Sequence, residues 1–142
     1  MKKVLIVLIA SVFLTGCGKD KILKCTYKDK KDVVEIKTEQ LFIFNSEGTK
    51  IKKIKATVEY VYDKNYLNLI SSSGQTLENL IDTESVCEEY MVNDNVSCKT
   101  TINDNKLIIN IEDDFKDNFV KNDDMNYSAV KKTYSSMNYI CE

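Results

Sequence analysis

Histidine, arginine, tryptophan and proline are all missing from this chain of 142 residues, and it has only four glycines. Without histidine there is no Ser-His-Asp triad, no Cys-His dyad and no imidazole ligand for zinc or copper. Without arginine no planar fork is available to clamp a phosphate or carboxylate. Tryptophan, the best stacking surface for sugars or quaternary amines, has only eight tyrosines to stand in for it. Each gap argues against an enzyme. No Pro/Gly-rich seam divides the chain and no internal repeat is found, so one domain is the economical reading.

The chain opens on Lys2 and Lys3, followed by an apolar run from Val4 to Leu14 in which Ser11 is the one polar residue. That run has the length of a signal-peptide core and is too short to cross a bilayer as a helix. It ends in Leu14-Thr15-Gly16-Cys17, which resembles a bacterial lipobox rather than the Ala-x-Ala-like end of ordinary signal cleavage. The resemblance implies lipidation of Cys17 and cleavage between Gly16 and Cys17. A diacylglyceryl group carries two acyl chains, which anchor a protein stably where one holds it only marginally. The expected organisation is a lipoprotein signal peptide (1–16), a lipidated tether (17–22) and a single domain (23–142). That domain would sit on the extracytoplasmic face of the cell membrane. No cofactor is expected beyond the covalent diacylglycerol on Cys17.

All 20 basic residues are lysine, against 22 acids. Abundant lysine, asparagine and isoleucine suit an AT-rich genome such as that of a low-G+C Gram-positive bacterium. The charge is uneven: residues 17–65 hold 12 lysines and 8 acids, whereas residues 66–142 hold 6 and 14. The bland account is a set of solvated faces. The sharper one is that the Lys-rich residues 17–65, next to the anchor, face anionic lipid or an anionic envelope polymer. The acidic balance argues against nucleic acid. Besides Cys17 the chain holds Cys25, Cys87, Cys98 and Cys141. Four cysteines in an exported domain read as two disulfides, and the count leaves three connectivities open.

Periodicity gives the fold class. Leu23, Cys25 and Tyr27 alternate with polar residues as in a half-buried strand. In a second strand Val34, Ile36, Thr38, Gln40, Phe42 and Phe44 share one parity. After a turn at Asn45-Ser46-Glu47-Gly48 a third strand runs from Ile51 to Tyr62, with Lys53, Lys55, Thr57 and Glu59 on its outer face. Tyr66 to Ile81 then recurs at helical spacing, weakened at Ser71-Ser72-Ser73-Gly74, and Ser85 with Glu88 has capping-box spacing. Val96–Ile102 and Leu107–Ile111 read as a hairpin around Asn103-Asp104-Asn105. A helix over 126–138 closes the chain, with Ala129, Val130, Thr133, Tyr134 and Met137 inward. The expectation is α+β: an antiparallel β-sheet, made of a long N-terminal hairpin and a second hairpin, packed by two or three helices. Its order is β-β-β-α-(α)-β-β-α.

The lipobox, the early Lys24-Cys25-Thr26, the lysine-rich hairpin, Asn95-Val96-Ser97-Cys98-Lys99 and the terminal Tyr139-Ile140-Cys141-Glu142 together resemble the YehR-like family of small bacterial lipoproteins. The likeness spans nearly the whole mature chain, and its one specific motif is the lipobox. Members are mostly of unassigned molecular function, so the resemblance implies fold and location and lends no activity. Cys87 and Cys98 resemble an addition carried by some relatives only. With Cys25 on the first strand and Cys141 past the last helix, Cys25–Cys141 would fasten both chain ends to one sheet. Cys87–Cys98 would bridge a local turn that either other connectivity leaves open.

Other chemistry carries less. The acidic Asn/Asp turns at 103–105, 113–118 and 122–124 lack the glycine and late glutamate of an EF-hand loop. Ser71 to Ser73 sit in neither a nucleophile elbow nor a Ser-x-x-Lys motif. Tyr60, Tyr62 and Tyr66, and Tyr127, Tyr134 and Tyr139, form two groups better suited to packing than to ligand binding. The functional expectation is therefore a monomeric, non-enzymatic binding or interaction module with an unknown protein partner. A carrier of a small apolar ligand would instead show a cavity lined by Phe42, Phe44 and Tyr60. A carboxylate hydrolase would show two desolvated acids in a cleft. For the anchor itself the test is Cys17→Ser, which should abolish both lipidation and processing. A variant that still yields a processed, lipid-bearing chain by mass spectrometry contradicts the lipobox reading.

Overall fold

The structure, a computed structural model, describes residues 18–91, 93–115 and 125–142. The signal stretch, Cys17, the Gly16–Cys17 bond, Asp117-Asn118 and residues 122–124 lie outside the described residues. Three long strands come first: β1 (Lys21–Lys31), β2 (Val34–Phe44) and β3 (Ile51–Tyr62). They are followed by α1 (Lys64–Ser72), α2 (Leu77–Leu80), α3 (Thr83–Glu88), β4 (Val96–Asn103), β5 (Lys106–Asp114), α4 (Tyr127–Ser136) and β6 (Ile140–Cys141). The strands form one antiparallel sheet in the order β4-β5-β3-β2-β1-β6. The class is α+β with the expected order of strands and helical segments; the described residues hold four helices where two or three were expected, and a sixth strand too short to show a period.

Turn chemistry sets the register. Asp32 and Asp104, at φ 45° and 51°, start the two-residue turns of the β1–β2 and β4–β5 hairpins, and short Asx side chains tolerate that left-handed region. In the β2–β3 turn the Asn45 carboxamide oxygen accepts the Thr49 and Lys50 N–H groups at 2.8 and 3.1 Å. Gly48 there has φ 73°, and a Cβ would lie 3.2 Å from both Lys21 Cδ and Tyr127 Cβ. Its carbonyl accepts the Tyr127 N–H at 2.8 Å, fixing the start of α4. β1 begins at Lys21 rather than at Leu23, because Lys21 and Ile22 pair with Phe44 and Ile43. The tether expected over 17–22 thus enters the sheet at its last two residues.

The helical segment breaks where the serines are. Ser72 and Ser73 hydroxyls donate back to the Leu69 and Ile70 carbonyls, and Gly74 turns the chain at φ 75°. α3 is not started by a Ser85–Glu88 capping box. Asp82 caps it, accepting the Glu84 and Ser85 N–H groups and the Ser85 hydroxyl. In α4, Val130 is buried and Ala129 and Tyr134 are half-buried, whereas Thr133 and Met137 are exposed. Met137 is the C-cap, and Asn138 at φ 65° swings the chain into β6, so that side chain leaves the sheet.

Leu23, Cys25, Phe42, Phe44, Ile51 and Val130 form the main core, packed by Tyr127, Tyr134, Tyr139 and Cys141. Val96, Leu107, Ile109 and Leu77 are also buried. Phe44 is fully buried, and truncating such a side chain costs about 3–5 kcal/mol. Cys25 is bonded to Cys141 across β1 and β6, with Cα atoms 4.1 Å apart. Their neighbours Lys24 and Glu142 exchange both backbone hydrogen bonds at 2.9 Å. The cysteines therefore occupy the non-hydrogen-bonded position, where facing Cα atoms come closest. Cys87 is bonded to Cys98, joining α3 to β4.

The two bonds close chain separations of 116 and 11 residues. By chain entropy, serine at both Cys25 and Cys141 should cost about 4–5 kcal/mol, and at both Cys87 and Cys98 about 2–3 kcal/mol. Urea unfolding checks the order: a larger loss from the Cys87/Cys98 pair contradicts it.

Candidate functional site

Alternation gives the sheet two unlike faces. Contacts from the helical side reach one of them: Tyr66 stacks on Tyr62, Cys87 bonds Cys98, Thr100 donates to the Thr83 carbonyl, and Tyr134 packs on Phe42. The opposite parity forms polar rows across five strands. One row runs Lys24, Leu41, Lys55, Glu112 and Ser97; the next runs Thr26, Glu39, Thr57, Asn110 and Lys99. A third runs Lys28, Lys37, Glu59, Ile108 and Thr101. Short side chains in the middle row leave two open depressions. One, about 290 Å³, is bounded by Thr26, Lys28, Lys37, Glu39 and Glu59. The other, about 340 Å³, is bounded by Lys55, Ser97, Lys99, Asn110 and Glu112. Thr57 lines both, and its hydroxyl donates to Asn110 Oδ1 at 3.0 Å.

The charge segregation along the chain is cancelled on this face. Lys53 and Lys55 of β3 meet Glu112 of β5 at 2.6 and 3.1 Å, and Lys106 meets Glu59 at 3.8 Å. Lys24 meets Glu39 at 2.8 Å and Lys37 meets Glu35 at 3.1 Å. Hydrogen bonds from Lys53 and then Lys55 hold the Glu112 carboxyl below the usual glutamate range. Glu112 in turn raises Lys53, as Glu39 raises Lys24. Among the described residues Lys28 and Lys99 make no ion pair. The lysines of residues 17–65 do not form one patch. Lys28, Lys30, Lys31 and Lys64 lie toward the β1–β2 turn, and Lys19, Lys21, Lys50 and Lys52 lie at the opposite end.

The other candidates come apart. Between α4 and the sheet a depression of about 180 Å³ is lined by Phe42, Ile51, Ile54, Met125, Val130, Thr133 and Tyr134, smaller than the ~300–1,000 Å³ of most ligand pockets. Phe44 is instead packed on Tyr127 and Tyr60 lies beside Tyr90, so the three marker residues do not share a cavity. The tyrosines of the last segment pack on the sheet, with Tyr27–Tyr139 and Tyr134–Tyr139 centroids 5.1 and 5.0 Å apart. Asp113 is raised by burial and by neighbouring Asp114, yet the two carboxyls are on opposite faces, since successive strand residues alternate. Asn103 to Asn105 form a hairpin turn in which Asn105 Nδ2 donates to the Tyr62 carbonyl. No group of three metal-ligating side chains converges among the described residues.

No family model, curated protein or solved structure matches the chain. The site is therefore defined by its geometry. Sequence reasoning placed Lys53, Lys55, Thr57 and Glu59 on an outer face but missed Asn110, Glu112 and Lys99 beside them. The signal was present: Asn110 interrupts the apolar run Leu107 to Ile111, and an inward asparagine there would need partners.

Two acids on adjacent positions should respond to pH with opposite sign. Glu112 has a lowered folded-state pKa, so its stabilisation is complete above the ordinary glutamate range and is lost as pH falls through the folded value. Asp113 has a raised one, so its charge opposes folding at neutral pH and the opposition vanishes in acid. Glu112→Gln should lower the urea midpoint at neutral pH, Asp113→Asn should raise it, and both differences should close in acid. Shifts of the same sign contradict this electrostatic reading.

Proposed function

We propose that the chain is a lipoprotein of the bacterial cell envelope, held on the extracytoplasmic face of the cell membrane through Cys17, whose domain is a binding or interaction module. The observation that carries the reading is the polar face, which no described helix covers. Strands of 8 to 12 residues at about 3.3 Å per residue, five abreast at about 4.8 Å, span roughly 700 Å². A standard protein interface takes about 800 Å² from each partner. The face is thus the right size for one protein partner, and its mixed ion pairs and short hydroxyl and amide groups suit a polar surface of alternating charge. An envelope polymer with both charges and hydroxyls is the other chemistry it fits. Ion pairs that already satisfy each other favour register and orientation over raw affinity.

The lipobox at Leu14 to Cys17 supports the location, and the resemblance to YehR-like lipoproteins agrees with it. The absence of histidine and arginine supports a non-enzymatic role. A photo-crosslinking residue at Thr57, in the middle of the face, should capture a discrete partner in the producing cells. One at Ser136, on exposed α4, should not. The same adducts from both positions, or none from Thr57, contradict the proposal.

A further inference from the structure

The two edges of the sheet are finished differently. At the β1 edge Lys24 and Glu142 exchange backbone hydrogen bonds with β6 in place, and Lys28, Asp29, Lys30 and Lys31 follow along the strand. Charged side chains on an edge oppose pairing with another chain. Beyond β4 the described residues place no strand, and its one charged side chain is Lys99. The β4 backbone is open there. The Asp114 N–H donates to the Asn95 carbonyl at 3.2 Å, so alternate residues from Asn95 onward, Ser97, Lys99, Thr101 and Asn103, turn to β5. Val96, Cys98, Thr100 and Ile102 turn their N–H and C=O groups outward. The Val96 N–H finds the Asn93 carbonyl at 3.2 Å, but among the described residues no backbone partner meets Cys98, Thr100 or Ile102 on that side.

α3 does not cap this edge. It meets β4 through side chains of the helical side, Cys87 bonded to Cys98 and the Thr100 hydroxyl donating to the Thr83 carbonyl, so it lies under the strand. Thr83 and Cys87 thus share the flank turned to β4. At 3.6 residues per turn Val86 falls on one side of that flank, and Glu84 with Glu88 on the other. Val86 is half-buried and Tyr90, just beyond the helix, lies beside Tyr60 of β3, which marks the inner side. Glu84 and Glu88 are exposed and make no ion pair among the described residues. They stand on the outer side, along the open edge. No lysine occurs between Lys64 and Lys99, a stretch that holds Glu78, Asp82, Glu84, Glu88, Glu89 and Asp94.

We infer that β4 takes up an extended basic segment of another protein as an added antiparallel strand. Residues of that segment opposite Cys98, Thr100 and Ile102 exchange backbone hydrogen bonds with them and point to the helical side, where lysine or arginine meets Glu84 and Glu88. The residues between them point to the open face beside Lys99, where hydroxyl or carboxylate side chains fit. A second copy does not suit the site. Two β4 strands centred on Thr100, the register that pairs all three open residues, would bring the Thr83 of one copy to that of the other. Asp82 and Glu84 would then face their own counterparts and repel them. The site depends on neither the anchor at Cys17 nor the open face.

The test titrates the full chain, in a non-ionic detergent, into a fluorophore-labelled peptide Lys-Thr-Lys-Thr-Lys-Thr-Lys, read by anisotropy. The peptide should bind, and Glu84→Gln together with Glu88→Gln should weaken it several-fold, each exposed ion pair being worth up to roughly fivefold. N-methylation of the lysine backbone nitrogens removes the donors that face β4 and should cost roughly tenfold or more, at about two- to tenfold per hydrogen bond. N-methylation of the threonines, whose N–H groups face away, should leave binding intact. Equal effects of the two methylations leave charge alone as the cause and overturn the strand addition. Binding indifferent to both glutamates, equal binding of the Glu-Thr counterpart, or no measurable binding overturns the basic occupant. Sedimentation of the same samples reads self-association, and a dimer that excludes the peptide puts a second copy on the edge and overturns the inference.

Discussion

The two-residue period of β1, β2 and β3 is the constraint on which the rest depends: β1 and β2 pair in register from Lys21–Phe44 to Lys31–Val34, and β2 and β3 from Val34–Tyr62 to Ile43–Lys53, beyond which a bulge skips Lys52. A slip by one residue in any of these strands would turn its apolar set to water and its charged set to the core. Gly48, the Asn45 turn and Asp32 are the local devices that prevent the slip. With register fixed, Leu23, Phe42 and Ile54 line up under α4, while Lys24, Leu41 and Lys55 line up on the other side. The open face is thus a consequence of the core, specified by the same alternation.

β3 also joins the two halves of the chain. Its pairing with β5 brings the basic first half against the acidic second half, Lys53 and Lys55 against Glu112 and Asp114. A segregation that reads along the chain as a basic arm and an acidic tail becomes a neutralised surface in the sheet. At the far edge the Cys25–Cys141 bond ties β6 to β1.

Legibility followed the strength of the local signal. β2 and β3 could be read to the residue because long alternation and Asn/Gly turn chemistry agree, and the helix break at Ser71 to Gly74 could be read from composition. β6 could not, since two residues have no period and its pairing is decided by a disulfide 116 residues away in sequence. Asp82 was passed over for Ser85 because both are good caps, and what decides between them is where the chain leaves Ile81 in an extended conformation. Met137 looked inward by helical spacing, but the helix ends there. The outer face of β5 was hidden by Ile108, which puts an apolar residue among polar ones and blurs the alternation.

Lysine footprinting with a membrane-impermeant amine reagent, read residue by residue on intact cells and on the purified protein, tests the central claim most directly. Lys31, Lys131 and Lys132, all exposed and away from the open face, should be modified as fully on cells as in purified protein. Lys55 and Lys99 on the open face should be protected on cells and regain reactivity on purification. Modification of every lysine only after lysis would contradict the extracytoplasmic placement. Equal reactivity of Lys55 and Lys99 in both samples would contradict the open face as the surface the protein uses.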